Sequence, residues 1–182
     1  MRGALILGTV PVDSAAAVTV GTNPFPMDVS IRKALESDAE AISNLVTGWA
    51  LHYLEDPTLP EAEQFLASLT PSATAERIRS DNFAYYVAVD SSGVCGVIAI
   101  REGFHLYHLF VRADSHGRGL ARALWEHAKS RSDSTTFVVN SSLPAVAVYQ
   151  RFGFVVKDGP QAASGLTFVP MEYSQSADDS FR

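Results

Sequence analysis

A glycine-rich turn between a predicted strand and a predicted helix restricts the fold of this chain more than any other feature. The apolar residues up to Val111 end the strand, and Gly117 and Gly119 lie in the turn. Apolar residues then recur every four positions, which is typical of a helix (Leu120, Leu124, Ala128). Glycines at a helix start leave the first backbone N–H groups uncovered, and these groups favour binding of a diphosphate. The segment therefore predicts a strand–turn–helix unit with a phosphate site.

The charge distribution supports a phosphate ligand at this turn. The chain has 14 basic and 20 acidic residues, a net charge of −6, which argues against a general nucleic-acid binder. Residues 112–131 nevertheless hold five basic and two acidic side chains, and Arg112, Arg118 and Arg122 lie on or beside the turn. Arg122 stands where a dinucleotide fingerprint has its third glycine, and no Gly-Lys-Ser/Thr sequence follows, so neither nucleotide motif is present.

Two blocks of this sequence resemble the GNAT superfamily of acyl-CoA-dependent N-acetyltransferases. The first is Val111 followed five residues later by His116-Gly117-Arg118-Gly119-Leu120-Ala121, although the family usually has Gln or Arg where His116 stands. The second runs from Ala145 to Phe154 and places Tyr149 shortly before Gly153-Phe154. The resemblance covers about residues 28–172. It implies a transfer of an acyl group from coenzyme A to an amine.

The predicted elements fit this resemblance. Residues 1–27 are expected to form a flexible N-terminal arm, residues 28–173 the GNAT domain and residues 174–182 a polar tail. Ser37 and Glu40 form a capping-box pattern that is expected to open the first helix. The resemblance implies an α/β fold with a mixed, mostly antiparallel sheet of six to seven strands, flanked by about four helices. Periodicity and turn residues predict strands at 29–32, 85–89, 94–101, 104–112, 135–139, 155–156 and 166–169.

The resemblance also implies where acetyl-CoA, the co-substrate, would bind. Its thioester would lie along the strand end, with backbone amides near Phe110 and Val111 on the carbonyl oxygen. Asn140 and Ser142, placed after the fifth long strand, would contact the pantetheine arm, although Asn140 is equally well explained as a turn residue. The implied cofactor-binding residues are Leu109, Phe110, Val111, His116, Gly117, Arg118, Gly119, Leu120, Ala121, Asn140 and Ser142.

Tyr149 and His105 are the candidate catalytic residues. Tyr149 matches the family tyrosine that protonates the departing thiolate; the alternative is a tyrosine that only packs between helix and sheet. His105 lies six residues before Val111, where some family members carry a base, and an ordinary imidazole titrates near ~6.5. Glu102, or water, is the alternative base. Strand alternation predicts that His105, Tyr107, Leu109 and Val111 share one face and that His108 lies on the other, which excludes a metal pair of the two histidines.

The most consistent function is therefore transfer of an acetyl group from acetyl-CoA to a primary amine, by direct attack in a ternary complex. The acceptor would be a small amine or a peptide, and the region around 50–83, including His52, Tyr53, Glu55 and Asp56, would wall its pocket. Two alternatives are a catalytically inactive CoA-binding sensor and a nucleotide-binding domain unrelated to CoA.

Composition predicts further properties of the protein. The single Cys95 excludes an intramolecular disulfide and a multi-cysteine zinc site, and no metal is expected. No stretch approaches the ~18–20 apolar residues that span a bilayer, so no membrane contact is expected. A cytoplasmic location and a possible homodimer complete the predictions.

Overall fold

The computed structural model describes residues 29–53, 60–163 and 166–175. The predicted arm at 1–27, most of the polar tail and the acidic pair Glu55 and Asp56 lie outside these residues, as do the side chains of His52 and Tyr53. None of the helices in the described ranges is long and apolar enough to cross a membrane.

An α/β architecture with one mixed sheet is confirmed. The helices are α1 (Ala39–Tyr53), α2 (Pro60–Ala67), α3 (Pro71–Arg79), α4 (Leu120–Lys129) and α5 (Val146–Arg151). The strands are β1 (Ser30–Lys33), β2 (Phe83–Asp90), β3 (Gly93–Arg101), β4 (His105–Val111), β5 (Thr136–Ser142), β6 (Val155–Val156), β7 (Gln161–Ala163) and β8 (Leu166–Ser174).

The sheet has eight strands in the order β1-β2-β3-β4-β5-β8-β6, with β7 paired to β8. The pair of β4 and β5 is parallel, and the other pairs recorded in the described chain are antiparallel. β7 is one strand more than the sequence predicts. Its three residues are all exposed, so they carry no burial pattern that would indicate a strand.

Each face of the sheet carries its own apolar cluster. One face packs against α4 and α5, where Trp125 is fully buried and meets Phe137 edge to face, with 5.0 Å between the ring centroids. The other face packs against α1, α2 and α3, with Ile42 and Val46 of α1 among its buried residues. We call these the α4 face and the α1 face. The separation is useful because it assigns each candidate site residue to one side of the sheet.

The start of α1 differs from the predicted capping box. A 3₁₀ turn at Glu36–Asp38 precedes the helix, and the Asp38 carboxylate accepts the Leu35 N–H at 2.7 Å. Arg32 donates to both oxygens of the same carboxylate, at 2.7 and 2.9 Å. The acidic residue of the capping box is therefore Asp38, which closes the 3₁₀ turn before α1, and not Glu40 of the predicted Ser37–Glu40 pair. The ion pair with Arg32 fixes the carboxylate at this position.

Cys95 is fully buried in β3, and its Sγ lies 3.4 Å from the Ala88 carbonyl oxygen. Burial raises the pKa of the thiol. These two facts make Cys95 a packed core residue with little thiolate character.

Candidate active site

A β-bulge in β4 determines which side chains reach each face of the sheet. Ala99 pairs with His108 and Ile100 pairs with Leu106, so Tyr107 is an extra residue in the register. Leu106, Leu109 and Val111 belong to the α4 face. Tyr107 and Phe110 belong to the α1 face.

The predicted alternation along β4 is therefore wrong beyond the bulge. Tyr107 does not share a face with Leu109 and Val111, and His108 lies beside Tyr107, with 4.4 Å between their ring centroids. The physical reason is the extra residue, because it shifts the two-residue period of the strand by one position.

β4 and β5 separate soon after they meet. Their register contains the single pair His105↔Val138, supported by a hydrogen bond from the Val138 N–H to the Phe104 carbonyl oxygen. No pairing between these two strands is recorded from residue 106 to Val111, within a region that the structure describes throughout. The sheet thus opens into a gap between the C-terminal half of β4 and β5, which we call the β4–β5 gap.

Backbone direction decides which amides of β4 face this gap. The Arg112 N–H donates to the Cys95 carbonyl oxygen of β3, so by alternation the Phe110 N–H also points to β3. The N–H groups of Leu109 and Val111 point the other way, to the gap. Of the three strand residues predicted to contact acetyl-CoA, Leu109 and Val111 therefore offer their amides and Phe110 does not.

The turn after β4 has the backbone of an anion-binding loop. Gly117 and Gly119 have φ values of +72° and +76°, which favour glycine, and a Cβ added at either residue would meet no atom within 4 Å. Gly119 is the N-cap of α4, and the first helical hydrogen bond runs from the Ala123 N–H to the Gly119 carbonyl oxygen. The N–H groups of Leu120 and Ala121 accordingly have no acceptor within the helix.

His116 holds this loop against β4. Its Nε2 lies 2.8 Å from the Val111 carbonyl oxygen, and because a carbonyl only accepts, Nε2 carries the proton. Its ring also packs against Trp49 of α1 at 5.5 Å between centroids. The His116 side chain is thus engaged in positioning the loop, so it is not directed to a phosphate in this arrangement.

The three arginines at the turn have different partners. Arg112 donates to Asp90 at 2.6 Å and to Asp114 at 2.7 Å, so its charge is balanced. Arg122 donates to the Arg151 carbonyl oxygen and lies over the Phe152 ring, which ties α4 to α5. Arg118, between the two glycines, is exposed and is the arginine best placed to contribute charge to a bound diphosphate.

Tyr149 is fully buried and its hydroxyl has no hydrogen-bond partner among the described residues. Burial raises the pKa of the phenol well above its usual value, so the group is protonated at neutral pH. Its ring packs on Phe152 and Phe154, and it belongs to the same apolar cluster as Leu109, Val111 and Leu120. An unpaired buried hydroxyl in this cluster can donate a proton to a ligand group that enters it.

His105 lies at the base of β4 with its ring largely buried. Its Nδ1 lies 3.0 Å from a terminal nitrogen of Arg101, and because a guanidinium only donates, Nδ1 accepts and the proton of the neutral ring is on Nε2. Burial, and secondarily Arg101, lowers the pKa of His105 to about 4. In this tautomer Nε2 already carries a proton. To accept another proton at Nε2, the ring would first have to carry its proton on Nδ1, and the hydrogen bond from Arg101 would be lost.

Glu102, the alternative base, lies in the turn before β4 with a positive φ of 53° and an exposed side chain. It borders a cavity of about 370 Å³ together with Phe104, Arg131 and Asp133. Ala128 of α4 also lines this cavity. The cavity is therefore on the α4 face and not beside Tyr107 on the α1 face.

Asn140 and Ser142 lie inside β5, which extends to Ser142, so their predicted position after the strand is wrong. Both alternate with Phe137 and Val139 of the α4 face and therefore point to the α1 side. Ser142 is buried and Asn140 is partly buried. The strand continues because all seven residues from Thr136 to Ser142 pair with β8, which overrides the turn preference of asparagine.

Comparison with known proteins identifies the family. The sequence model for the acetyltransferase (GNAT) domain matches residues 53–175, more than half of the chain. The chain belongs to the GNAT acetyltransferase family. The resemblance carried by His116–Ala121 and by Tyr149 is thereby confirmed at the level of the family, while the individual roles of these residues stay predictions.

Solved structures share the GNAT fold with this chain at low sequence identity. PaiA N-acetyltransferase from Thermoplasma acidophilum, in complex with coenzyme A, has a TM-score of 0.67 and 17% identity over 81% of this chain and 99% of that one. A GCN5-related N-acetyltransferase from Rhodopseudomonas palustris has a TM-score of 0.63 and 20% identity, covering 81% and 96%. A spermidine N-acetyltransferase SpeG variant from Vibrio cholerae has a TM-score of 0.59 and 17% identity, covering 83% and 96%. No curated protein sequence matches the chain.

Several residues of this GNAT site were not identified from the sequence. Nothing in the sequence pattern marks Trp49 as the partner of His116. Tyr107 was predicted only to share a face with His105, and Arg101 was not identified, although it is the register partner of His105. Pairing β3 with β4 as a hairpin would have placed Arg101 beside His105 from the sequence alone. The described residues contain no group of three or more His, Cys, Asp or Glu side chains arranged to hold a metal ion.

Proposed function

We propose that the protein is an N-acetyltransferase that transfers the acetyl group of acetyl-CoA to a primary amine of a small molecule or peptide. The observation that carries the proposal is the buried, unpartnered hydroxyl of Tyr149 in the cluster that contains Leu109 and Val111. A phenol in that position is an acid for a thiolate.

The residues of the site fit coenzyme A in three places. The glycine loop and the first turn of α4 offer uncovered N–H groups for the pyrophosphate, and Arg118 adds positive charge. The amides of Leu109 and Val111 face the β4–β5 gap, where a pantetheine arm can form hydrogen bonds to the open strand edge. Acetyl-CoA would supply the activated acyl group, and Tyr149, which belongs to the same apolar cluster as Leu109 and Val111, would act on the sulfur.

The proposed reaction is a direct attack. The neutral amine nitrogen forms a bond to the acetyl carbon, the carbon–sulfur bond breaks, and the Tyr149 hydroxyl supplies the proton that the thiolate takes up. A backbone amide of Leu109 or Val111 stabilises the negative charge that develops on the carbonyl oxygen. The proton lost by the amine passes to water, because His105 Nδ1 is occupied by Arg101 and Nε2 already carries a proton. Tyr149 then regains a proton from water, so that one proton leaves the amine and one is added to the thiolate in each turnover.

Release of free thiol from acetyl-CoA, measured against a panel of amines and peptides, tests this proposal. Wild type is expected to release thiol with at least one acceptor, and Tyr149→Phe to reduce kcat by about 10²-fold while binding acetyl-CoA as before. Equal kcat in both proteins would remove Tyr149 from the mechanism.

A thermal-shift measurement with acetyl-CoA, NAD and ATP separates the two other classes of function. Stabilisation by acetyl-CoA without thiol release for any acceptor would indicate a CoA-binding sensor. Stabilisation by NAD or ATP alone would contradict the use of coenzyme A.

A further inference from the structure

Two guanidinium groups converge on one tyrosine on the α1 face. The Cζ atoms of Arg77 and Arg101 lie 5.7 and 5.9 Å from the centroid of the Tyr107 ring. Arg77 comes from α3, Arg101 from the end of β3, and Tyr107 is the bulge residue of β4. Three separate elements therefore bring two positive charges to one place in a protein whose net charge is −6.

These two cations have no hydrogen-bonded carboxylate among the described residues. Arg77 donates to the Tyr85 hydroxyl at 3.1 Å, the Ser68 carbonyl at 2.6 Å and the Thr74 hydroxyl at 3.3 Å, all neutral groups. The carboxylate recorded nearest to Arg101 is the exposed Glu102, 3.8 Å from Nε, too long for a hydrogen bond.

Arg32 and Arg112, in contrast to Arg77 and Arg101, are each hydrogen-bonded to a carboxylate. The positive charge around Tyr107 is consequently less neutralised than the charge of Arg32 or Arg112. It also contributes, after burial, to the lowered pKa values of His105 and His108.

Two buried donors beside Tyr107 lack acceptors. Arg101 Nε and His105 Nε2 are both buried with no hydrogen-bond partner among the described residues. The bond from Arg101 to His105 Nδ1 leaves the imidazole proton on Nε2, so both atoms are N–H donors. An unpaired buried donor is unfavourable. A carboxylate bound to the Arg101 guanidinium could accept from its Nε, whereas His105 Nε2 lies on the side of the imidazole that faces away from Arg101.

We propose that Arg101, positioned by His105 and close to Arg77 at the Tyr107 ring, binds the carboxylate of the acceptor substrate. The acceptor is then an amino-carboxylate, either an amino acid or the chain of a short peptide with a free C-terminus. This inference rests on the proposed acetyltransferase function and specifies its substrate class. Although the chain has a net charge of −6, the local charge at the base of β4 favours an anionic group and repels a polyamine.

The strand sets the length of the acceptor. His105 and Leu109 are four positions apart on β4, so their backbones are separated by roughly 13 Å at ~3.3 Å per residue. The side chains that reach toward the acceptor shorten the distance that it has to span. If the amine attacks beside Leu109 while the carboxylate lies at His105, the two groups are separated by about 10 Å. An extended tripeptide has this length. Triglycine is therefore a suitable probe, with triglycinamide as its uncharged match.

Calorimetric titration of both peptides into the protein saturated with coenzyme A tests the inference without turnover. Triglycine is expected to bind at least about 10-fold more tightly than triglycinamide, because the amide loses the charge-assisted hydrogen bonding to Arg101. Arg101→Gln is expected to bring the ratio close to one, and Arg101→Lys to restore part of it. Arg79→Gln removes an exposed arginine of α3 that pairs with Glu36, and it should leave the ratio unchanged.

Equal binding of the two peptides, binding of neither, or an unchanged ratio in Arg101→Gln would overturn the inference. Glycine and diglycine, titrated in the same way, distinguish a free amino acid from a peptide acceptor. Thiol release with the same peptides separates this inference from the proposed function. Transfer to acid and amide alike contradicts carboxylate recognition only, whereas a binding preference for triglycine without thiol release from any acceptor contradicts the acetyltransferase.

Discussion

His116 Nε2 donates a hydrogen bond of 2.8 Å to the Val111 carbonyl oxygen, and so connects the glycine loop to the last residue of β4. The bond joins the Val111 carbonyl, at the edge of the β4–β5 gap, to the loop that begins five residues later. The His116 imidazole also packs against the Trp49 ring, so α1 contacts the loop at the same residue.

Replacing His116 tests whether this bond positions the loop. His116→Ala is expected to lower the free energy of unfolding by about 1 kcal/mol and to weaken acetyl-CoA binding, whereas His116→Gln retains an N–H donor and should keep most of both. Urea unfolding and calorimetric titration of acetyl-CoA measure the two effects. Wild-type behaviour of His116→Ala in both measurements would contradict a positioning role.

Gly119→Ala should affect both stability and cofactor binding. At a φ of +76°, a Cβ costs about 1–2 kcal/mol although nothing crowds it, and relaxation of this strain would move the uncovered N–H groups of α4. We expect a lower free energy of unfolding and weaker acetyl-CoA binding. Gly48→Ala is the matched control: it lies inside α1 with nothing within 4 Å of an added Cβ, and should stabilise by up to ~1 kcal/mol without changing affinity.

The protein should lose stability as the pH falls from about 6.5 to about 4. The pKa of His105 is about 4 in the folded protein, mainly because of burial, and near ~6.5 in an unfolded chain. The unfolded state therefore binds more protons in this window, and protonation favours unfolding. His105 alone accounts for about 2–3 kcal/mol, and His108, whose pKa is also lowered by burial, adds in the same direction.

Denaturant unfolding of wild type and His105→Gln at a series of pH values checks this prediction. The variant should lose stability less steeply between pH 6.5 and pH 4. An identical slope in the two proteins would show that the folded-state pKa of His105 is not lowered.

Asp38→Ala is expected to lower the free energy of unfolding by about 2–3 kcal/mol. The carboxylate is largely buried, accepts two bonds from Arg32 and one from the Leu35 N–H, and its loss leaves these donors unpaired. Glu36→Gln, which alters an exposed pair with Arg79 at 3.2 Å, should cost less than about 1 kcal/mol. Chemical unfolding of the two variants compares them, and equal losses would contradict a stabilising role of Asp38 in the 3₁₀ turn before α1.

Features encoded locally were predictable from the sequence. The glycine turn and its helix follow from spacing within one segment, and α4 begins at Leu120 as predicted. Tyr149 was singled out through the family resemblance, whose second block lies within a single helix and the glycine that follows it, and its catalytic role stays a prediction. For such elements, neighbouring residues determine the backbone, so the sequence pattern contains the required information.

The contacts that arise between distant elements were not predictable in the same way. The bulge at Tyr107 is a mismatch between β3 and β4, and alternation within β4 alone gives no sign of it. The convergence of Arg77 and Arg101 depends on how α3 packs on the sheet. The sequence pattern ends the fifth strand at residue 139, before Asn140, a residue type that favours turns, but pairing with Pro170 of β8 keeps Asn140 in β5.

The opening between β4 and β5 divides the hydrogen-bonded sheet into an N-terminal ribbon, β1 to β4, and a C-terminal ribbon, β5 to β8. The pair His105↔Val138 is the one register pair that joins them, at the base of the strands. Each ribbon is internally hydrogen-bonded, so the two are held together mainly by side-chain packing. Trp125 of α4, for example, contacts Phe137 of β5 and Tyr173 of β8. Opening motions of the native protein should begin at the β4–β5 gap. A ligand arm that lies in this gap would act as an additional strand and would stabilise the two ribbons against separation.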